Sequence, residues 1–191
     1  MKKLLLSLFL FPLVVFAQRD SVYVKTDIFT AVYSEVLQQP KWVTYTVQCP
    51  NGTTPRTGMD FYSVPGIITS DNADYANNIY DKGHCTPAAD FNCTKEMLYK
   101  TFSYVNCVLQ NQYLNRGVWR LLEAYERDLA ATTGVTVKIK MVYSSNSIKL
   151  STGATVPDGF YKIITYNNRV EKYYFPNTKP TSSDFKQYLI K

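Results

Sequence analysis

The chain has 191 residues, of which 46% are hydrophobic, 15% aromatic and 19% charged, a composition too apolar for a disordered chain and a length typical of one globular domain. Lysine and arginine number 21 against 15 acidic residues, which gives a net charge of +6 and favours an anionic partner. Histidine occurs once, at His84, which excludes sites that need two imidazoles, such as the HExxH zinc proteases.

The first 17 residues have the composition of a secretory signal. Two lysines precede an apolar run, Leu4–Phe16, and Ala17 precedes the expected cleavage site before Gln18. The run is shorter than the ~20 residues that a membrane-spanning helix needs. We therefore expect an exported protein, periplasmic or extracellular, with no membrane anchor. Residues 18–191 are expected to form a single domain, because they contain no repeat or low-complexity tract.

Four cysteines remain in that domain: Cys49, Cys85, Cys93 and Cys107. An even number of cysteines in an oxidising compartment predicts two disulfides, and the sequence leaves all three pairings open. A zinc site of four thiolates is the alternative. It is disfavoured because no two of these cysteines have the short Cys-x2–4-Cys spacing that such sites use.

Alternation of apolar and polar side chains predicts several strands. They lie at Trp42–Val47, Val135–Tyr143, Phe160–Tyr166 and Lys172–Phe175. Between residues 51 and 78 the chain is rich in Gly, Pro, Ser, Asn, Asp and Thr. This composition predicts a long loop, and loops of that length in a compact domain are usually functional.

One long helical pattern lies between these strands. Val118, Leu121, Leu122, Tyr125 and Leu129 recur at three- and four-residue spacing, and the pattern stops at Thr132-Thr133-Gly134. It predicts an amphipathic helix over about 115–131, with Trp119 in the core. The predicted fold class is therefore α+β, with a mainly antiparallel sheet and one prominent helix.

The only histidine lies in a segment that could carry chemistry. Asp-Lys-Gly-His, ending at His84, is followed by Cys-Thr and then by Pro-Ala-Ala-Asp-Phe. An imidazole with a pKa of about 6.5 can take a proton from water near neutral pH. Lys82, two residues earlier, could hold a phosphate beside it. Considered alone, this segment also allows a surface or helix-capping histidine.

A second cluster resolves this choice. Asn106 and Gln110 are followed by Leu-Asn-Arg-Gly-Val-Trp-Arg-Leu-Leu-Glu, which runs from Leu114 to Glu123. In order, spacing and residue type these blocks closely resemble the DNA/RNA non-specific endonucleases of the ββα-metal, or His-Me finger, superfamily. That family's pattern has Asp-Arg-Gly-His, then Asn and Gln, then Asn-x-Gly-x-Trp-x-x-Leu-Glu at the start of a helix. The resemblance spans most of 33–166 and implies a ββα-metal motif.

Two departures from the family pattern bear on efficiency rather than on reaction type. Lys82 stands where the family usually has arginine. A lysine offers the phosphate a single charge in place of the bidentate contact that an arginine makes. The stretch 141–150 lacks the Thr-Gly-Pro that such nucleases commonly carry.

The resemblance implies a catalytic role for three residues and metal binding for a fourth. His84 would be the general base, and Asn115 would be the direct protein ligand of Mg2+, or of Mn2+ in its place. Asn115 is also a favoured residue for a helix N-cap, and the two roles are compatible. Glu123 would orient water at the metal or hold a basic neighbour. Asn106 would support the histidine or contact phosphate, unless it only makes hydrogen bonds at a strand end.

Three basic side chains are predicted to bind phosphate: Lys82, Arg56 and Arg116. Arg56 is the weakest of these assignments, since the loop that carries it differs in length from the family's. Arg116 and its neighbour Arg120 could equally form the solvated face of the helix.

The expected function is Mg2+-dependent hydrolysis of DNA and RNA, indifferent to base sequence and leaving 5′-phosphate ends, with nucleic acid as the partner and no protein partner implied. The main alternative is an exported nucleic-acid-binding protein on a nuclease scaffold with little or no cleavage. A secreted toxin with an immunity partner and an exported structural or binding module are further alternatives. Because Cys85 and Cys107 adjoin proposed site residues, reduction is expected to lower activity if either is bridged.

Overall fold

The computed structural model describes residues 17–190. The segment that we predict to be a secretory signal lies outside the described residues, except for Ala17. Among the described residues, no helix is both long enough and apolar enough to cross a bilayer.

The chain forms a large and a small antiparallel sheet. The strands are β1 (Val22–Lys25), β2 (Phe29–Ser34), β3 (Gln39–Thr46), β4 (Tyr80–His84), β5 (Cys107–Asn111), β6 (Thr136–Val142), β7 (Gly159–Tyr166) and β8 (Arg169–Pro176). Six of them form one sheet in the order β1-β2-β3-β6-β7-β8, and β4 pairs with β5 in a two-stranded ribbon. The predicted mainly antiparallel sheet is therefore confirmed.

Helical segments lie between these strands. They are α1 (Lys95–Thr101), α2 (Gln112–Leu114) and α3 (Arg120–Ala130), with a π-helical turn at Asn115–Trp119 that joins α2 to α3. The predicted helix over about 115–131 is thus confirmed, although helical structure begins three residues earlier. The irregular backbone of Gly117, with φ −100° and ψ −117°, makes the π turn.

Strict alternation gives the large sheet one buried face and one outward face. Val137, Ile139 and Met141 of β6 are buried, whereas Lys138 and Lys140 between them are exposed. The buried face packs against the apolar side of the helical segment 112–130, which contributes the following buried residues: Leu114, Val118, Trp119 and Leu122. As predicted, Trp119 lies in the core, where its ring meets the edges of Phe160 and Phe175. This packing fixes the helix against the sheet.

The prediction of two disulfides is wrong. Cys49 and Cys93 form a disulfide with a Cα–Cα distance of 5.6 Å, whereas Cys85 and Cys107 are buried free thiols. The register of the ribbon explains this, because β4 places His84 directly opposite Cys107. Cys85, the next residue, lies just past the end of β4, so the register of the ribbon does not pair it with Cys107. Reduction would open only the Cys49–Cys93 bridge, which does not adjoin a proposed site residue.

Candidate active site

A surface cleft of about 370 Å3 lies where the β4–β5 ribbon meets the start of the long helix. Six of the seven site residues predicted from the sequence line it: Arg56, Lys82, His84, Asn115, Arg116 and Glu123. Arg120 and the turn Pro87–Ala89 complete the wall. Asn106 is the predicted residue that the cleft does not include.

Close packing within the ribbon positions His84. Gly83 lies directly opposite Val108, and a Cβ atom on Gly83 would stand 2.5 Å from Oε1 and 2.7 Å from Cβ of Gln110. Only glycine permits this approach. The backbone of β4 therefore reaches the cleft with His84 at its last position.

The imidazole of His84 lies between two aromatic rings. Phe61 stacks against it at a tilt, with 4.6 Å between centroids, and Phe102 meets it edge-on at 4.8 Å. Nε2 is buried without a hydrogen-bond partner among the described residues. Nδ1 also makes no hydrogen bond there but is not buried, so Nδ1 is the nitrogen that faces the cleft. Burial, assisted by the positive charge of Arg56, lowers the pKa of His84 to about 3 and keeps the ring neutral.

Asp81 fixes the orientation of Asn115. Its Oδ2 accepts a hydrogen bond of 2.9 Å from Nδ2 of Asn115 and another of 2.8 Å from Nε of Arg116. Because Nδ2 is engaged, the amide oxygen of Asn115 remains available at the cleft. That oxygen is a ligand of the kind that Mg2+ prefers, and Mg2+ usually keeps several of its waters.

The donor set at the cleft fits a Mg2+ ion better than a zinc ion. Within residues 17–190 no group of three or more His, Cys, Asp or Glu side chains could hold a metal. The cleft instead offers one amide oxygen from Asn115 and one carboxylate from Glu123. Such sparse, all-oxygen ligation suits a hydrated hard cation.

Glu123 is held by the core beneath it. Nε1 of Trp119 donates a hydrogen bond of 2.9 Å to its Oε1, which leaves Oε2 available at the cleft. Burial raises the pKa of Glu123, and the nearby charge of Lys162 opposes that rise. The helix thus presents Asn115 and Glu123 to the same cleft, eight residues apart in the sequence.

Four cationic side chains surround these groups, and two of them are tied to acids. Lys82 forms an ion pair of 2.7 Å with Asp60 and also donates to Asn72. Burial opposes the charge of Lys82, but the contacts with Asp60 and Tyr104 together outweigh this effect and raise its pKa. Arg116 pairs with Asp81 at 2.5 Å while remaining 68% exposed.

The other two cations of the cleft are Arg56 and Arg120. Neither occurs in an ion pair among the described residues. The positive charges of both arginines are therefore available to bind an anion.

Asn106 supports the histidine segment from below. Its side chain is fully buried, and its Oδ1 accepts from the backbone of Thr86 at 2.7 Å. Its Nδ2 donates to the carbonyl oxygens of Thr86 and Thr101. The two bonds to Thr86 hold the chain just after His84, and the bond to Thr101 ties it to the end of α1. Asn106 is placed as a positioning residue and not as one that touches substrate.

Three residues at the site received no role from the sequence. Asp81 orients Asn115, Asp60 pairs with Lys82, and Phe61 covers His84. Asp81 could have been noticed from its place in Asp-Lys-Gly-His. Asp60 and Phe61 lie in the long loop between residues 51 and 78, and nothing in their local sequence indicates that the loop folds back onto β4.

The β4–β5 ribbon and the helix that follows it form a ββα unit around the cleft, as the sequence resemblance implies. Comparison with known proteins agrees with it. Residues 13–191 match the family described as DNA/RNA non-specific endonuclease. The chain therefore belongs to the DNA/RNA non-specific endonuclease family, which is a family of metal-dependent nucleases and thus of hydrolytic enzymes.

The individual curated relatives match only part of this chain, at moderate identity. The chain is 32% identical to the mitochondrial nuclease EXOG of Danio rerio over 51% of this chain and 30% of that protein. It is 28% identical to a nuclease of Nostoc sp. over 61% of this chain and 47% of that protein. The chain thus spans less than half the length of these curated relatives.

A solved structure, a chain of the EndoG/EndoGI complex, shares the fold with a TM-score of 0.79 and 23% identity, covering 88% of this chain and 80% of that chain.

Proposed function

We propose that this protein is an exported, Mg2+-dependent endonuclease that hydrolyses phosphodiester bonds in both DNA and RNA and leaves 5′-phosphate ends. One observation carries the proposal. The free Nδ1 of a neutral imidazole, the amide oxygen of Asn115 and four cationic side chains all meet in one cleft. That combination provides a base, a metal ligand and phosphate contacts together.

The chain's own residues account for the attack step. His84, held neutral by burial, takes a proton from a water molecule at Nδ1. The oxygen of that water bonds to phosphorus on the side opposite the 3′ oxygen. The bond from phosphorus to the 3′ oxygen then breaks, and the departing oxygen takes a proton from water. The phosphate remains on the 5′ carbon of the released strand.

Charge at the cleft serves binding and stabilisation of the transition state. Arg56 and Arg120 are free to contact the phosphate oxygens, and Lys82 can do so if it leaves Asp60. When bound at Asn115, Mg2+ would supply positive charge against the negative charge that accumulates during the reaction. Contacts of this type are made to phosphate groups and not to base edges, so cleavage is expected not to depend on the base sequence of the nucleic acid.

The test is digestion of supercoiled plasmid and of structured RNA by the protein lacking residues 1–17, with Mg2+ or with EDTA, beside a folded His84→Ala variant. We expect loss of both substrates with Mg2+, and no loss with EDTA or in the variant. Intact substrates together with salt-sensitive retardation on a gel would instead indicate a nucleic-acid-binding protein on a nuclease scaffold.

Export is proposed from the sequence of the leading segment. The measurement is the N-terminal sequence of the protein recovered from the periplasm or the medium, which is expected to begin at Gln18. A protein that stays in the cytoplasm and begins at Met1 would contradict this part of the proposal.

A further inference from the structure

The large sheet has a second face that the cleft does not use. Its inner face carries the core and the helical segment 112–130, whereas among the described residues no helix covers its outer face. The outward residues remain accessible. Tyr23 of β1 is 64% exposed and Val170 of β8 is 66% exposed.

The register aligns one outward residue from each of the six strands in a single row that is rich in aromatic side chains. Tyr23 lies opposite Val32, and Val32 lies opposite Trp42. The row continues through Lys140, Tyr161 and Tyr174, each directly opposite the previous residue. With ~4.8 Å between neighbouring strands, the row is roughly 24 Å long. Four of its six members are aromatic.

A second row, two residues along each strand, is basic. It consists of Lys25, Thr30, Thr44, Lys138, Ile163 and Lys172, again directly opposite one another. With Lys140 of the first row, this face carries four lysines. None of them occurs in an ion pair within residues 17–190.

The outward positions of the six strands include no acid. Glu171, the only acidic residue within these strands, faces inward, where it accepts hydrogen bonds from three tyrosine hydroxyls. A surface with four unpaired lysines and no acid is complementary to a polyanion.

Lysines and rings in the two rows touch. Nζ of Lys138 stands 4.8 Å from the ring centroid of Trp42, and Nζ of Lys172 stands 4.6 Å from that of Tyr161. The rings are therefore held in place at positions that remain partly exposed. Cross-strand packing alone accounts for aromatic pairs in a sheet. It does not account for the absence of acids from the entire face.

We propose that this outward face is a second nucleic-acid-binding surface, which takes a single-stranded segment of the substrate while another segment occupies the cleft. Bases would stack on the aromatic row, and phosphates would lie along the lysine row. Aromatic side chains on a sheet stack bases in this way irrespective of sequence. The proposal rests on the proposed function, because it assumes a nucleic-acid substrate.

The chemistry of the face favours a polar polymer over a lipid surface. Five threonines project outward among the lysines: Thr30, Thr44, Thr46, Thr136 and Thr165. Its rings belong to tyrosine and tryptophan, and its aliphatic side chains, Val32, Ile163 and Val170, are outnumbered by the lysines and threonines.

Binding at two places also has a kinetic consequence. A strand held by this face raises the local concentration of its remaining length at the cleft. Long strands should therefore bind more tightly than short ones.

The test compares two variants of equal charge. The outward-face variant carries Lys138→Gln, Lys140→Gln and Lys172→Gln. The control variant carries Lys95→Gln, Lys149→Gln and Lys186→Gln, which replace exposed lysines that lie outside this face. Binding of a 30-residue oligothymidylate is measured in a His84→Ala background, and cleavage of a thymidine hexanucleotide is measured with His84 intact.

We expect the outward-face variant to bind the long strand about tenfold or more weakly, with a salt slope reduced by about 2, as three lost phosphate contacts predict. The control should change the affinity by less than about threefold, and both variants should cleave the hexanucleotide at the rate of the parent. In a separate variant, Trp42→Thr should weaken single-strand binding about fivefold and leave binding of a 30-base-pair duplex unchanged.

Equal effects of the two lysine variants, or no effect of either, would overturn the proposal. So would lysine-dependent sedimentation with phosphatidylglycerol vesicles while oligonucleotide binding is unchanged, since the face would then bind lipid. A parent protein that fails to cut the hexanucleotide would count against the proposed function alone. In that event the binding comparison would still decide the role of the outward face.

Discussion

The buried ion pair beneath the site provides a quantitative test of the account. Lys162 of β7 and Glu126 of α3 are both fully buried, with 2.7 Å between Nζ and Oε1. Neither atom has a further hydrogen-bond partner among the described residues. Lys162→Met would leave the carboxylate of Glu126 buried without a counter-charge, which costs about 3–5 kcal/mol of unfolding free energy. In a protein of this size the loss corresponds to a fall in melting temperature of roughly 6–20 °C.

The assay is urea denaturation with a matched control. The pair Lys41–Asp20 is exposed, so Lys41→Met should cost less than about 1 kcal/mol. The double variant Lys162→Met, Glu126→Gln should recover much of the lost stability, because it removes the buried charge while the amide still accepts the hydrogen bond of Tyr45. A cost for Lys162→Met no greater than that for Lys41→Met would refute the reasoning.

Three further predictions concern the site. Burial lowers the pKa of His84 to about 3, so its neutral form persists below pH 6.5. The acid limb in the pH profile of kcat/KM should therefore lie below pH 6.5. An acid limb at or above that value would contradict the burial described. Gly83→Ala places a Cβ against Gln110 and should lower the free energy of unfolding by about 1–3 kcal/mol in urea denaturation, so an unchanged midpoint would be evidence against the close packing. Asp81→Ala frees the amide of Asn115 and should raise the Mg2+ concentration for half-maximal rate about 10–100-fold, and an unaltered metal dependence would show that Asp81 does not orient the ligand.

Much of the site could be predicted because three short blocks of sequence carry it. The tetrapeptide ending at His84 and the segment from Asn115 to Glu123 are local, so residue type and spacing along the chain are enough to identify them. The apolar spacing around Trp119 likewise determines the buried side of that helix, since residues three and four apart share one face.

Features that depend on contacts between distant segments could not be predicted. β4 has the sequence Tyr-Asp-Lys-Gly-His, which lacks apolar alternation because pairing with β5, and not burial of one face, makes it a strand. The two-disulfide prediction failed for a related reason. An even count of cysteines says nothing about which cysteines the fold brings face to face, and it is His84 that lies opposite Cys107.

The loop residues show the same limit. Asp60 reaches Lys82 across 22 residues of sequence, and Phe61 covers His84 from the same loop. Apolar residues that recur every two, three or four positions indicate local strands and helices. They carry no information about contacts between residues this far apart in the sequence.

The role of His84 as the general base is tested by single-turnover cleavage of an end-labelled single strand at saturating Mg2+, with binding of the same strand measured in parallel. His84→Ala is expected to lower the cleavage rate about 10²–10⁴-fold, the range for loss of a general base, and to change the Kd less than about threefold. Cleavage by the variant at the parent rate would contradict the assignment of His84 as the base.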